Sequence, residues 1–407
     1  MTEFSSLRGH EPQFPGARRK SLNFTTRDVS RQSDLYPSSP SWKALVDERP
    51  AVLQGPSHAS AGFQFDPETQ RATLQQEEEL WAQANPPSKF GYTVEDFLVT
   101  MRDGDKILVK VYRPARPPVA NRNGESEHKG DSPGPTKTLP LLFVTHGGGW
   151  IQGSAVTEEI NMLRALIKEL DFIIVAPEFR LAPEYPFPTP LDDCWDTLCW
   201  AVGNSAFGIE PTNVYLAGSS AGANLAAALA LMAGYSKATD HLAIRRRPAP
   251  WVLAGSELNL EVKVTGVILN VPVLCHPDFF PTYEFPYVSF TQADNTLLTN
   301  AEMRALWNLY LPSESAFEGS NPLASPLLAF LHNFPPCRIY VAGQDCLRDE
   351  GIAFAKKLKK FGRDVKLWVY PGVPHTFAEF DDLKETRDFC TDLVTGMKEL
   401  MAEKPRG

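Results

Sequence analysis

The sequence predicts an α/β protein with a mostly parallel sheet covered by helices on both faces. Three observations carry that expectation. Short, almost uninterrupted apolar runs such as LPLLFVTH, DFIIVAPEF and NVYLAG read as strands buried on both sides. Helix-length segments separate them, and this alternation places crossover helices over a sheet. A chain of 407 residues with 43% hydrophobic content is long enough to bury such a core.

Each element follows in order. Residues 1–56 are rich in Ser, Pro and Arg and are expected to be mobile, apart from a short helix around Ser41–Asp47. A second helix opens at Asp66-Pro67, with Asp as cap and Pro in the first turn, and presents Leu74, Leu80, Trp81 and Ala84 to a surface. VEDFLVTM and KILVKVYRP bracket Asp103-Gly104, a hairpin signal. The segment 116–138 is nearly free of aliphatics and reads as a disordered insertion. Beyond it come the strand LPLLFVTH, the helix TEEINMLRALIKEL, the strand DFIIVAPEF, the helix LDDCWDTLCWAVGN, the strand NVYLAG and the all-round apolar helix SAGANLAAALALMAG. VKVTGVILNVPVL, CRIYVAG and VKLWVY supply later strands, with GIAFAKKLKKFG and RDFCTDLVTGMKELMA as helices. The organisation expected is a tail with cap helices over 1–90 and a catalytic domain over 91–407. A ligand site belongs at the carboxyl ends of the parallel strands.

Composition narrows the function. Lys+Arg 40 against Asp+Glu 49 leaves a net charge of −9, which argues against nucleic acid or an anionic membrane as partner. Six cysteines without C-x-x-C spacing read as core thiols in a reducing compartment. No apolar run reaches the length of a membrane span and no secretory signal is visible, so a cytoplasmic location is expected. Arg18-Arg19-Lys20-Ser21 reads as a solvated basic cluster. No cofactor and no metal is expected.

Gly218-Ser219-Ser220-Ala221-Gly222 joins a strand to a helix in the G-x-S-x-G pattern, whose small flanking residues permit a turn sharp enough to expose the central hydroxyl. Small residues chosen only for packing would look the same, so the partners decide. A serine nucleophile needs a base, and the base an orienting acid. Of the eight histidines, only His375 follows a late strand and a suitable acid. Asp345, first after CRIYVAG, is the acid assigned, in preference to Asp349, which opens a helix where a carboxylate is favourable without catalysis. The triplet Gly147-Gly148-Gly149 behind LPLLFVTH then finds a use, because bare backbone N–H groups can meet an oxyanion. Gly148, Gly149 and Ala221 are the donors expected, and His146 is expected to brace their loop.

These motifs together resemble the hormone-sensitive-lipase-like carboxylesterases of the α/β-hydrolase fold. The likeness runs from about Val94 to the C-terminus and rests on HGGGW (146–150), FRLAPEYPFPTPLDD (179–193), GSSAG (218–222) and DCLRDEG (345–351) followed by His375. The resemblance implies the triad Ser220, Asp345 and His375 and the oxyanion donors Gly148, Gly149 and Ala221. It also implies a helical cap from about Trp42 to Asn85 and over 275–323, with Trp150, Phe279, Phe280, Tyr283, Tyr287 and Phe290 as candidates to line an apolar pocket. Two departures stand out: Ser219 where the family usually has Asp or Thr, and Cys346 where it has proline. The activity implied is hydrolysis of carboxylic esters with small or medium apolar acyl groups. Acyl transfer, dehydration or a non-catalytic receptor are the alternatives that the fold allows. The expected partner is a small-molecule ester, with a homodimer left open.

Overall fold

The computed structural model describes residues 36–50, 66–115, 138–235, 262–291, 297–312 and 317–402. The basic cluster at Arg18 and the insertion after Ala115 lie outside them. Two helices precede the sheet: α1 (Pro40–Glu48), capped by the Ser39 hydroxyl, and α2 (Pro67–Ala84), capped by Asp66 with Pro at its first position. β1 (Tyr92–Thr100) and β2 (Lys106–Pro114) form the antiparallel hairpin read from the Asp-Gly turn.

β3 (Leu139–Thr145) leads into α3, which runs through Ala155–Glu158, a π turn at Glu159–Leu163 and Arg164–Ile167. Then follow β4 (Ile173–Pro177), α4 (Thr189–Gly203), β5 (Ile209–Ser219), α5 (Ala221–Tyr235) and β6 (Val264–Asn270). After α6 (Asn300–Tyr310), the chain closes with β7 (Cys337–Ala342), α7 (Arg348–Lys360), β8 (Val365–Tyr370) and α8 (Lys384–Ala402).

The eight strands lie in the order β1-β2-β4-β3-β5-β6-β7-β8. β2 pairs antiparallel with both β1 and β4, and all other pairings are parallel. Period-two alternation along each strand splits the core into two layers. Leu141, Phe143, Val214, Leu216, Val267 and Ile339 face α4, α5 and α7. Leu142, Val144, Tyr215, Ala217, Ile268 and Tyr340 face α3 and α8. Fully burying one such aliphatic or aromatic side chain contributes about 1.5–3 kcal/mol, so both faces have to be covered. The uniformly apolar α5 follows from its place between the sheet and α4.

α2 and α6 place Leu74, Met303 and Leu306 around the cavity that opens on Ser220, whereas α1 packs Trp42 and Leu45 into the layer beside α8, with the Trp42 ring 5.6 Å from Phe380. Arg71 anchors α2: its guanidinium donates to the carbonyls of Ile151 and Ala182 and pairs with Glu184. Inside the 179–193 motif, Arg180 grips both oxygens of buried Asp193 and reaches Asp103 and Asp105 in the β1–β2 turn. That motif therefore ties β4 to α4 and to the hairpin. No helix among the described residues is long and apolar enough to cross a membrane.

Candidate active site

β5 ends at Ser219 and α5 begins at Ala221, leaving Ser220 alone to make the turn. Its φ of 55° lies in the left-handed region, which costs a non-glycine residue about 1–3 kcal/mol and persists only where the surroundings enforce it. They do so through hydrogen bonds: Ser220 N–H donates to the Asn270 carbonyl at 2.9 Å, and the Ser220 carbonyl accepts from Val273 N–H at 3.3 Å. The flanking glycines are small because backbone passes against them. A Cβ on Gly222 would sit 2.0 Å from the Thr145 carbonyl oxygen, too close for any side chain.

His375 stands in the loop after β8 with Nε2 2.9 Å from Ser220 Oγ and Nδ1 2.7 Å from Asp345 Oδ2. Asp345, in the turn after β7, accepts a second bond at Oδ1 from Leu347 N–H at 2.9 Å. A carboxylate only accepts, so Nδ1 carries the proton and Nε2 is left free to accept the serine hydroxyl. Asp345 and His375 are both buried, at 1% and 6% exposure, which keeps water from competing for that hydrogen-bonded line. Asp349 does something else: it accepts from Ser289 N–H and from Arg348, joining the segment after β6 to the start of α7.

Above Ser220 lies the glycine loop. Gly148 has φ of +103°, and a Cβ there would meet the Gln152 carbonyl oxygen at 2.2 Å. The amides of Gly148, Gly149 and Ala221 donate to no acceptor among the described residues, and that of Ala221 heads α5 with no intrahelical partner. His146 holds the loop from beneath. It stacks on Phe179 at 4.0 Å, and burial pushes its pKa down to about 4, so the neutral ring donates from Nδ1 to the Gly147 carbonyl at 2.8 Å.

A cavity of about 220 Å³ opens on Ser220 and His375. Its apolar wall is aliphatic: Leu74 of α2, Val271, Leu297, Leu298, and Met303 and Leu306 of α6. None of the six nominated aromatics borders it. Trp150 is fully buried and stacks on Tyr310 at 4.0 Å. Phe280, Tyr287 and Phe290 stack in a row at 3.8 and 5.0 Å, Phe279 lies against His276, and Tyr283 points into solvent at 91% exposure. The aromatic-rich stretch satisfies its rings mutually and secures the segment after β6 to α7, leaving the lining to other residues.

Sequence reasoning missed three polar participants. Glu158 on α3 is fully buried and accepts from Gly147 N–H at 3.0 Å and from the Ser219 hydroxyl at 2.9 Å. Asn270, at the end of β6, donates to Ser219 Oγ at 3.1 Å. The signal for Glu158 was its place one and two turns before Met162 and Leu166 on the buried stripe of α3, where a carboxylate is out of place. Glu350, buried in α7, accepts the amides of Leu274 and Cys275 at one oxygen and the Tyr287 hydroxyl at the other.

Glu350 has a consequence for stability. Burial pushes its pKa from 4.5 up to about 8, so the folded chain holds a proton that the unfolded chain releases between those values. The stability it contributes is complete below the unfolded value and is lost as pH rises through the folded one. Glu350→Gln keeps every contact, because the amide oxygen can take both backbone donors and the NH₂ can donate to Tyr287. Unfolding midpoints in urea from about pH 5 to pH 9 should show the wild type losing ground to Glu350→Gln as pH rises. Parallel curves would contradict this.

A profile of the alpha/beta hydrolase fold family matches residues 142–379. Carboxylesterase NlhH of Mycobacterium tuberculosis is 30% identical over 246 residues, covering 60% of this chain and 67% of its own length. Other curated relatives are spanned over 65% of their length. The crystal structure of vibralactone cyclase matches with a TM-score of 0.70 at 26% identity, over 91% of this chain and 97% of that one. EstE1, a thermophilic carboxylesterase cloned from a metagenomic library, matches with a TM-score of 0.65 at 26% identity, over 83% and 99%.

Proposed function

The chain belongs to the alpha/beta hydrolase fold family, and from that premise we propose that it is a serine carboxylesterase acting on esters of small or medium apolar acyl groups. Ser220 is the nucleophile, His375 the base and Asp345 the group that fixes the imidazole. The observation that carries the reading is the unbroken line from Ser220 Oγ through His375 to Asp345, at 2.9 and 2.7 Å, beside three amides that meet no acceptor among the described residues.

As Ser220 Oγ attacks the ester carbonyl, its proton passes to His375 Nε2 and the carbonyl electrons collect on oxygen, where the amides of Gly148, Gly149 and Ala221 receive them. The imidazolium, held by Asp345, returns the proton to the departing alcohol. Water then repeats the sequence on the acyl-serine and releases the acid. Each oxyanion donor of this kind stabilises the transition state by about 2.7–4 kcal/mol.

The cavity supports a small acyl group, since about 220 Å³ is below the roughly 300–1,000 Å³ of pockets for drug-sized ligands. Release of p-nitrophenol across acyl lengths tests the reading. Turnover should be greatest with short chains and fall for long ones; absence of turnover with every chain would overturn it. The likeness to a cyclase favours a second reading in which an alcohol captures the acyl group in place of water. Product analysis with an added alcohol separates the two. Six free cysteines support a reducing, cytoplasmic setting.

A further inference from the structure

We infer that Glu158 is a positioning residue, whose single carboxylate locks the glycine loop to the nucleophile turn and so sets the reactivity of Ser220. Its two oxygens divide the task. Oε1 accepts the amide of Gly147, immediately before the two proposed oxyanion donors, and Oε2 accepts the hydroxyl of Ser219, immediately before the nucleophile. Ser219 Oγ in turn accepts Asn270 Nδ2, and the Asn270 carbonyl accepts Ser220 N–H. A continuous set of hydrogen bonds therefore runs from the loop above Ser220, through Glu158, to the strand end beneath it.

Three observations favour this role over a plain structural tie. Glu158 is completely buried, and no arginine or lysine pairs with it among the described residues, an arrangement that is costly unless hydrogen bonds hold the charge. Both of its contacts are donors, so the charged form suits the site, although burial pushes its pKa up to about 7 against the pull of the Ser219 and Gly147 donors. Gly147 is gripped on both sides, its N–H by Glu158 and its carbonyl by His146, so the two peptide units that flank it, the second of which carries the Gly148 amide, have little freedom to rotate. Ser219 also gains a purpose: only a side chain that accepts from Asn270 while donating to Glu158 completes the set.

The inference rests on the esterase reading, and the test separates the two. Two rates are measured in wild type, Glu158→Gln, Ser219→Asp and the double variant: phosphonylation of Ser220 by a fluorophosphonate, and kcat on a short p-nitrophenyl ester. In Glu158→Gln the amide oxygen still takes Gly147 N–H, but the NH₂ then donates to Ser219 Oγ, so the Ser219 hydroxyl loses its carboxylate acceptor and the tie loses its charge. In Ser219→Asp two carboxylates confront each other. The double variant restores the pattern with the charge moved to position 219, where the carboxylate accepts both from Asn270 and from the new amide at position 158.

Each single variant should lower both rates by about tenfold or more, with KM little changed, and the double variant should recover most of the loss, as coupled neighbours do. Wild-type rates in Glu158→Gln, or a double variant no better than the worse single, would overturn the inference. Labelling without ester turnover in the wild type would sink the esterase reading alone, since the labelling rates of the four proteins would still decide the role of Glu158.

Discussion

Ser220→Ala is expected to reduce kcat on short esters by about 10⁶-fold, the scale seen when a serine nucleophile is removed from a working triad. The size follows from the geometry. Among the described residues the hydroxyl hydrogen-bonded to His375 Nε2 is that of Ser220, at 2.9 Å, and the turn at φ 55° sets it between the strand end and the helix. What remains after substitution comes from the oxyanion amides and substrate binding alone, which still exceed water by about 10³–10⁴-fold. Ser220 is half-buried and Ser220→Ala removes the side-chain hydrogen bond to His375, a loss of about 0.5–1.5 kcal/mol, so the variant should fold and melt close to the wild type. Steady-state kinetics with a thermal melt checks both halves. Undiminished turnover would place the chemistry elsewhere.

Asp345→Asn should cost about 10⁴-fold in kcat while leaving KM nearly unaltered. Asp345 Oδ2 accepts the His375 Nδ1 proton at 2.7 Å and Oδ1 accepts Leu347 N–H at 2.9 Å, so both oxygens act as acceptors. If the amide oxygen keeps Leu347, the NH₂ of Asn faces Nδ1 and favours the tautomer that protonates Nε2. In that state the imidazole cannot take the serine proton. The loss should lie in kcat, since Asp345 stands behind His375 and does not border the cavity walled by Leu74, Met303 and Leu306. A variant that lost only substrate affinity would contradict the assignment.

Much of this site was legible in the sequence, because its logic is local. G-x-S-x-G, HGGG and the order Ser, Asp, His each sit at a strand end, and strands buried on both faces are recognisable from continuous apolar runs such as LPLLFVTH. Backbone geometry explains the glycines: Gly222 touches the Thr145 carbonyl, and Gly148 folds back on Gln152.

The pocket was less legible. Its wall combines α2, α6 and the turn after β6, and nothing in the sequence reveals which of many leucines meet across such distances. Aromatic content misdirected the reading, since Phe280, Tyr287 and Phe290 stack with one another and Trp150 stacks with Tyr310. Glu158 was hidden for a related reason. Its partners, Gly147 and Ser219, lie 11 and 61 residues away, and only the fold brings them to one carboxylate. Val271, with φ of 40° and a branched side chain beside the cavity, is another product of tertiary constraint, held by its N–H bond to the Tyr340 carbonyl at 2.8 Å.

The most direct measurement is to treat the wild-type protein with a fluorophosphonate and locate the adduct by peptide mass spectrometry while residual esterase activity is followed. Serine activated by an adjacent histidine predicts one phosphonyl group, on Ser220, with activity lost in proportion to its formation and no adduct on Ser219 or in Ser220→Ala. Full hydrolysis by protein quantitatively modified at Ser220, or an adduct at another residue accompanying inactivation, would contradict the account.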